Sequence, residues 1–249
     1  MNRTARGGPR PFDLWDGLLL VDKPSGMTSH DVVDRIRRTF RLRKVGHGGT
    51  LDPMATGLLV ILLGRGTKLS NQVMGSDKTY EGTLHLGVAT DSQDCDGTVL
   101  SERDASAVTR EALEAEMKLR VGDLMQTPPM VSAVKKDGVP LYKLARQGQV
   151  VEREPRLIHV YEYRLLTFTP PTATFVLRCT KGTYVRTLVS DIGEALGCGA
   201  HLAALRRTVS GPLQIADAVP LDRILAAPPT EVGTFVQPMN RFSLSGPLA

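Results

Sequence analysis

Residues 46–57 read GHGGTLDPMATG, with four glycines and one proline around His47 and Asp52. No regular helix or strand runs through such a stretch. Glycine carries the largest backbone entropy cost, and proline lacks an N–H and fixes its own φ. Pro53 also biases Asp52 toward an extended backbone. An Asp-Pro pair by itself marks a turn. The surrounding glycines add something else, close approach of another backbone or of a ligand to one carboxylate and one imidazole.

The chain length of 249 residues suits one large domain, or one domain with a small appendage. Hydrophobic residues make up 41%, as in globular proteins, and no run reaches the roughly 18 apolar residues of a membrane span. Residues 1–16 lack the apolar centre of a secretion signal and read as a flexible head. Cys95, Cys179 and Cys198 are scattered and odd in number, which points to a reducing, cytoplasmic setting. The net charge of +5 permits a polyanionic partner. It is concentrated in RIRRTFRLRK (35–44), where Arg35, Arg37, Arg38, Arg41, Arg43 and Lys44 stand without an acid. The run leads straight into the glycine-rich stretch, which favours a phosphate-contacting rim over a merely solvated helix face.

The spacing predicts a buried strand over 17–24 and a helix over 28–40, with Thr28 and Asp31 as a capping box. A strand follows over 79–87, with Tyr80, Gly82, Leu84 and Leu86 on one face, then a helix over 108–122. RLIHVYEYRLLTFT and ATFVLRCT flank PPT and read as an antiparallel pair. The helix over 183–197 closes on Gly197. Residues 126–155 have weak periodicity and many Lys, Gly, Pro and Gln, and read as a long loop or small lobe that closes on a ligand. Without a regular β-α-β alternation, the fold class is α+β around a mixed, mostly antiparallel sheet. Phosphate-loop, dinucleotide, paired-cysteine zinc and nucleophile-elbow patterns are absent from the sequence.

DKPSGMTSHDVV, KVGHGGTLDPMATGLLV, KTYEGTLHLGVATDSQDCDG and CTKGTYVRTLVSDIGEALGCGAHLAALRRT occur in this order. Together they resemble the bacterial TruB family, tRNA pseudouridine synthases that modify uridine 55 of the TΨC loop. The resemblance runs from about Gly17 to Asp222. It implies a pseudouridine synthase fold with a central sheet flanked by helices and an inserted RNA-binding loop. It also implies an isomerisation that cuts N1–C1′ of uridine and joins C5 to C1′, without cofactor or metal. The implied partner is tRNA, with no obligatory protein partner and action as a monomer. The implied layout is a catalytic domain over 17–225 and a short tail over 226–249, too short for the usual C-terminal PUA module.

By the same resemblance Asp52 is the essential carboxylate. Addition to C1′, addition to C6 and abstraction of a sugar proton all stay open. Tyr80 lies against the target base, with a core tyrosine as the plainer alternative. Arg186 pairs with the catalytic aspartate, and its first-turn position is one the helix dipole disfavours for an idle cation. Tyr184 and Leu205 line the uracil pocket, and Lys23 of the DKP motif supports it. His47 stacks in the gap left by the flipped base, its alternative being a turn histidine bonded to its own loop. Arg37, Arg38, Arg41, Arg43 and Lys44 contact the RNA backbone. Two other classes share these features, an RNA-binding or RNA-folding protein without turnover and a guide-RNA-dependent synthase.

Overall fold

A computed structural model describes residues 15–132, 135–136, 138–141, 144, 147–149 and 151–242. Residues 1–14 of the expected N-terminal head, and parts of the expected 126–155 loop, lie outside the described residues. In chain order the elements begin β1 (Gly17–Lys23), α1 (Ser29–Thr39), β2 (Val45–His47), β3 (Thr56–Leu63), α2 (Ser70–Gly75) and β4 (Lys78–Leu86). Next come β5 (Val88–Thr90), β6 (Val99–Glu102), α3 (Arg110–Lys118), β7 (Gly122–Gln126), β8 (Lys135–Lys136) and β9 (Val139–Pro140). The chain continues with β10 (Arg156–Thr169), β11 (Thr172–Cys179), α4 (Val185–Ala195), β12 (Ala200–Ser210) and β13 (Leu213–Gln214). It ends with β14 (Val219–Pro220), α5 (Leu221–Ala226), α6 (Pro229–Phe235) and β15 (Val236–Gln237). Helices and a mixed sheet make this an α+β fold, as the sequence predicts.

The chain divides into two compact units, residues 1–76 with 207–249, and residues 77–206. In the first, β1 pairs along its full length with β3 in antiparallel register, from Gly17 opposite Leu63 to Lys23 opposite Gly57. The other edge of β1 is shared. Val21 and Asp22 pair with β14 in parallel, and Leu18 and Leu19 pair with β15 in antiparallel fashion. Leu18 and Leu20 pack with Leu58, Val60, Leu62, Leu69, Val73 and Leu213, and Met239 and Phe242 close that cluster. Leu19 and Val21, on the opposite face, are buried as well. Burial on both faces explains why β1 and β3 are unbroken apolar runs without alternation. Residues 229–242 of the expected tail therefore form α6, β15 and a closing turn against the first unit's own sheet and core.

Helix α1 begins as expected. Thr28 Oγ1 accepts from Asp31 N at 3.0 Å, and Asp31 Oδ2 accepts from Thr28 N at 2.8 Å. Two residues beyond its end, Arg41 has a φ of +53°, unusual for a residue with a side chain. Leu42 N then donates back to Arg37 O at 3.0 Å.

In the second unit the strand order is β4-β11-β10-β7, antiparallel throughout. Strand β4 alternates as the sequence predicts, with Tyr80, Gly82, Leu84 and Leu86 buried. Gly82 has no side chain because the Phe175 ring of β11 occupies that space. The helix expected over 108–122 is shorter, since Gly122 (φ +103°) already opens β7. Leu113 and Met117 of α3, and Leu188, Val189 and Ile192 of α4, are buried. Gly193 of α4 lies directly on the backbone of Gly199 and Ala200, with no room for a Cβ. Gly193→Ala is expected to destabilise the chain by more than about 2 kcal/mol, because backbone cannot move aside as a side chain can. A fall in the urea midpoint at unchanged m-value checks this.

Candidate active site

The glycine-rich loop belongs to the first unit and is tied down nearly atom by atom. His47 closes β2, opposite Ile61 of β3. Gly48 N donates to Val60 O at 2.8 Å, and the Val73 side chain fills the space a Cβ would need at Gly48. Gly49 has φ +134°, a backbone only glycine adopts without strain. Its carbonyl accepts from Arg207 Nη2 at 3.1 Å, and the Thr50 carbonyl accepts from Arg207 Nη1 at 3.3 Å. Buried Ser29, the first residue of α1, holds Leu51 at both backbone groups. Its Oγ accepts from Leu51 N at 2.8 Å and donates to Leu51 O at 3.1 Å.

Asp52 then opens a tight turn, with Ala55 N donating to Asp52 O at 3.1 Å and Pro53 at the position where proline suits such a turn. The Pro53 carbonyl accepts from Gly26 N at 2.9 Å and from Lys23 Nζ at 3.3 Å. Ser25 Oγ donates to Met54 O at 3.1 Å. The Asp52 side chain is half-buried, at the centre of a backbone fixed on both sides.

Two buried cations serve this loop. Lys23 is inaccessible to solvent, and its Nζ also donates to Pro24 O at 2.8 Å and Met27 O at 2.7 Å. Burial pulls its pKa down to about 8, while the charges of Asp52 and Asp31 pull it up. Arg207 of β12 is 1% exposed, and its Nε donates to Leu58 O of β3 at 2.7 Å. Burial, and then the Arg207 charge, lower the pKa of half-buried His47, so its ring is neutral at physiological pH. Gly49 N donates to His47 Nδ1 at 3.4 Å, so the imidazole does bond its own loop, although at the long limit for such a bond.

The predicted basic rim surrounds the end of α1. Arg38, Arg41, Arg43 and Lys44 are exposed. Arg37 is half-exposed and bonds Asp34 at 2.8 Å, so this one cation is already paired by an acid just before the basic run.

The second unit carries the remaining predicted residues. Tyr80 of β4 is 9% exposed and sits opposite Leu177 of β11. Leu205 of β12 is buried. Tyr184 precedes α4, and its backbone is held twice by Gln126 of β7: Nε2 donates to Tyr184 O at 3.0 Å and Oε1 accepts from Tyr184 N at 2.8 Å. Arg186 is 4% exposed, which excludes an idle helix-surface arginine. It donates to Asp94 Oδ2 at 3.2 Å and to Val131 O at 2.6 Å, and its guanidinium carbon lies 5.9 Å from the centre of the Tyr184 ring. Asp94 is oriented in turn by Ser92 Oγ at 2.5 Å and Asp96 N at 3.1 Å. Ser29, Asp94, Gln126 and Arg207 carry no sequence signal of their own, because each acts through a partner 22 to 158 positions away or through its burial.

The lowered pKa of Lys23 gives a stability prediction with a definite sign. The folded chain releases this proton near pH 8, whereas an unfolded lysine keeps it to about 10.5. The unfolded state therefore binds more protons in that window, so wild type gains stability over Lys23→Met as pH rises through it. Below pH 8 the difference is flat. Paired urea titrations from pH 7 to 10.5 check this, and a difference that falls with pH contradicts it.

Comparison with known proteins adds a second line of evidence. The family model described as TruB family pseudouridylate synthase (N terminal domain) matches residues 37–185. The one described as tRNA pseudouridylate synthase B C-terminal domain matches residues 186–242. A protein of Opitutus terrae named tRNA pseudouridine synthase B is 56% identical over 223 residues, 90% of this chain and 92% of that one. The protein of that name from Syntrophotalea carbinolica is 53% identical over 86% of this chain and 70% of its own. Among solved structures, a Cbf5-Nop10-Gar1 complex contains a chain with a TM-score of 0.73 and 29% identity. The match covers 92% of this chain and spans 62% of that one. With these matches along nearly its whole length, the chain belongs to the TruB family of pseudouridylate synthases.

Proposed function

We propose that this protein converts uridine 55 in the TΨC loop of tRNA to pseudouridine. The single observation that carries this reading is the half-buried Asp52 carboxylate on a loop whose backbone is fixed on both sides, in a chain of this family. The reaction breaks N1–C1′, turns the uracil and forms C5–C1′, while N1 gains a proton and C5 loses one. Nothing is oxidised and no water enters. Asp52 is the catalytic carboxylate, Tyr80 and Arg186 act with it, and Tyr184, Leu205 and Lys23 support the uracil site. A base stacked in a folded loop must first be flipped out, at a cost of a few kcal/mol. His47 offsets part of this by stacking in the gap, and its neutral ring suits a role without proton transfer. The exposed Arg38, Arg41, Arg43 and Lys44 and the half-exposed Arg37 meet the RNA phosphates. The protein acts as a cytoplasmic monomer without a metal or cofactor.

A second reading, a synthase that works only in an assembly, draws on the likeness to the chain solved with Nop10 and Gar1. Pseudouridine formed by the pure protein on bare, unmodified tRNA decides for the first reading. No product without partners decides for the second.

Two substitutions test the roles. Asp52→Asn keeps nearly the same shape without the charge. It is expected to abolish product while tRNA still binds; turnover within tenfold of wild type, about 1.4 kcal/mol, removes Asp52 from the mechanism. His47→Ala is expected to slow productive binding roughly ten- to a hundredfold, the scale of one stacked base. His47→Phe should recover part of that loss, since it stacks without titrating. Single-turnover rates over pH 5.5–8.5 separate this from acid–base catalysis, in which Phe would be as inactive as Ala.

A further inference from the structure

We propose that Arg207 is a positioning residue for Asp52. Its guanidinium locks the loop that carries the carboxylate onto strand β3. The inference rests on the functional reading above, in which Asp52 does the chemistry.

Arginine presents its donors in a planar fork of fixed angles, which a lysine ammonium does not reproduce. Here the fork has one prong on the sheet and two on the loop. Nε bonds Leu58 O, near the start of β3, where the strand pairs with Asp22 of β1. Nη1 and Nη2 bond Thr50 O and Gly49 O, two and three residues before Asp52. The loop needs such a hold where it has one. Gly49 has φ +134°, and glycine is the residue that leaves a backbone freest to leave a given conformation. A Cβ at Gly49 would lie 3.6 Å from Nη1, an ordinary contact, so the glycine is required by the backbone angle and not by lack of space. Ser29 fixes the next residue, Leu51, at both its N–H and its carbonyl. Between them the two side chains hold three consecutive residues up to Asp52. The Arg207 charge also bears on His47 and Lys23, both of which it disfavours in their charged forms. That places the guanidinium beside the groups that flank the carboxylate.

The test is Arg207→Lys in the full-length chain, which keeps the charge and most of the volume but loses the fork. The readouts are single-turnover pseudouridine formation on an unmodified TΨC stem-loop, the Kd for the same RNA, and thermal unfolding. The expected result is a rate at least tenfold below wild type, with Kd within threefold and a cooperative unfolding transition. A rate within threefold of wild type overturns the proposal, as does a loss of rate matched by an equal loss of affinity. Ser29→Ala releases the same loop at Leu51 with Arg207 intact, and it decides the matter if Arg207→Lys does not fold. A lowered rate at wild-type Kd supports the proposal, and a wild-type rate overturns it. If wild type itself makes no pseudouridine, the functional reading fails separately. Hydrogen exchange of the Leu51 amide then reports on the lock without RNA: faster exchange in Arg207→Lys supports it, and unchanged exchange overturns it.

Discussion

The loop around Asp52 holds one conformation because its carbonyls have partners that are themselves immobile. Gly49 and Thr50 are bonded by Arg207, Leu51 by Ser29, Pro53 by Lys23 and Gly26, and Met54 by Ser25. A buried carbonyl left without a donor costs about 1–3 kcal/mol, more than a glycine-rich segment recovers from its own packing. The rest of the site follows from this. The turn that carries the Asp52 carboxylate is stiff because donors reach it from three other elements, β1, α1 and β12.

Two of those donors are cations, which sets the electrostatics. Lys23 is buried deeply enough to lose part of its basicity, and the nearby Asp52 and Asp31 charges return some of it. Arg207 keeps its charge whatever its burial, because its guanidinium does not deprotonate in proteins. Burial, and after it the Arg207 charge, hold the pKa of His47 below its ordinary value and favour the neutral ring. In the proposed reading, where this loop meets RNA, a neutral ring suits stacking and the exposed cations of residues 38–44 suit phosphate.

The second unit uses the same device with different residues. Gln126 at the end of β7 fixes the backbone of Tyr184, and Val131, a few residues later, accepts from Arg186. Residues 126 and 131 are therefore anchored to the start of α4, where Tyr184 and Arg186 stand. Asp94 completes the arrangement. Its carboxylate faces Arg186 across a distance of 92 residues in sequence, and a buried arginine needs such a partner.

Local chemistry was legible in the sequence. The capping box of α1, the alternation of β4 and the antiparallel pair β10–β11 follow from residue types at fixed short spacing, and the structure reproduces them. The glycines, the proline and the carboxylate of the 46–57 loop were legible for the same reason, since backbone freedom and turn chemistry are properties of the residues themselves. Strands β3 and β12 were not assigned. In β3 the apolar run follows directly on the glycine-rich loop, and without alternation it does not differ in pattern from a buried helix segment. The roles of Ser29, Gln126 and Arg207 were not legible either, because a serine beside a cap, a glutamine at the start of a loop-like segment and one arginine in LRRT look ordinary. Only the tertiary structure sets their side chains against backbone carbonyls and amides far away in the chain. The sequence by itself determined which residue carries the carboxylate and which segments bend. Folding decided what holds that carboxylate still, because the donors come from strands and a helix that meet only when the sheet has formed.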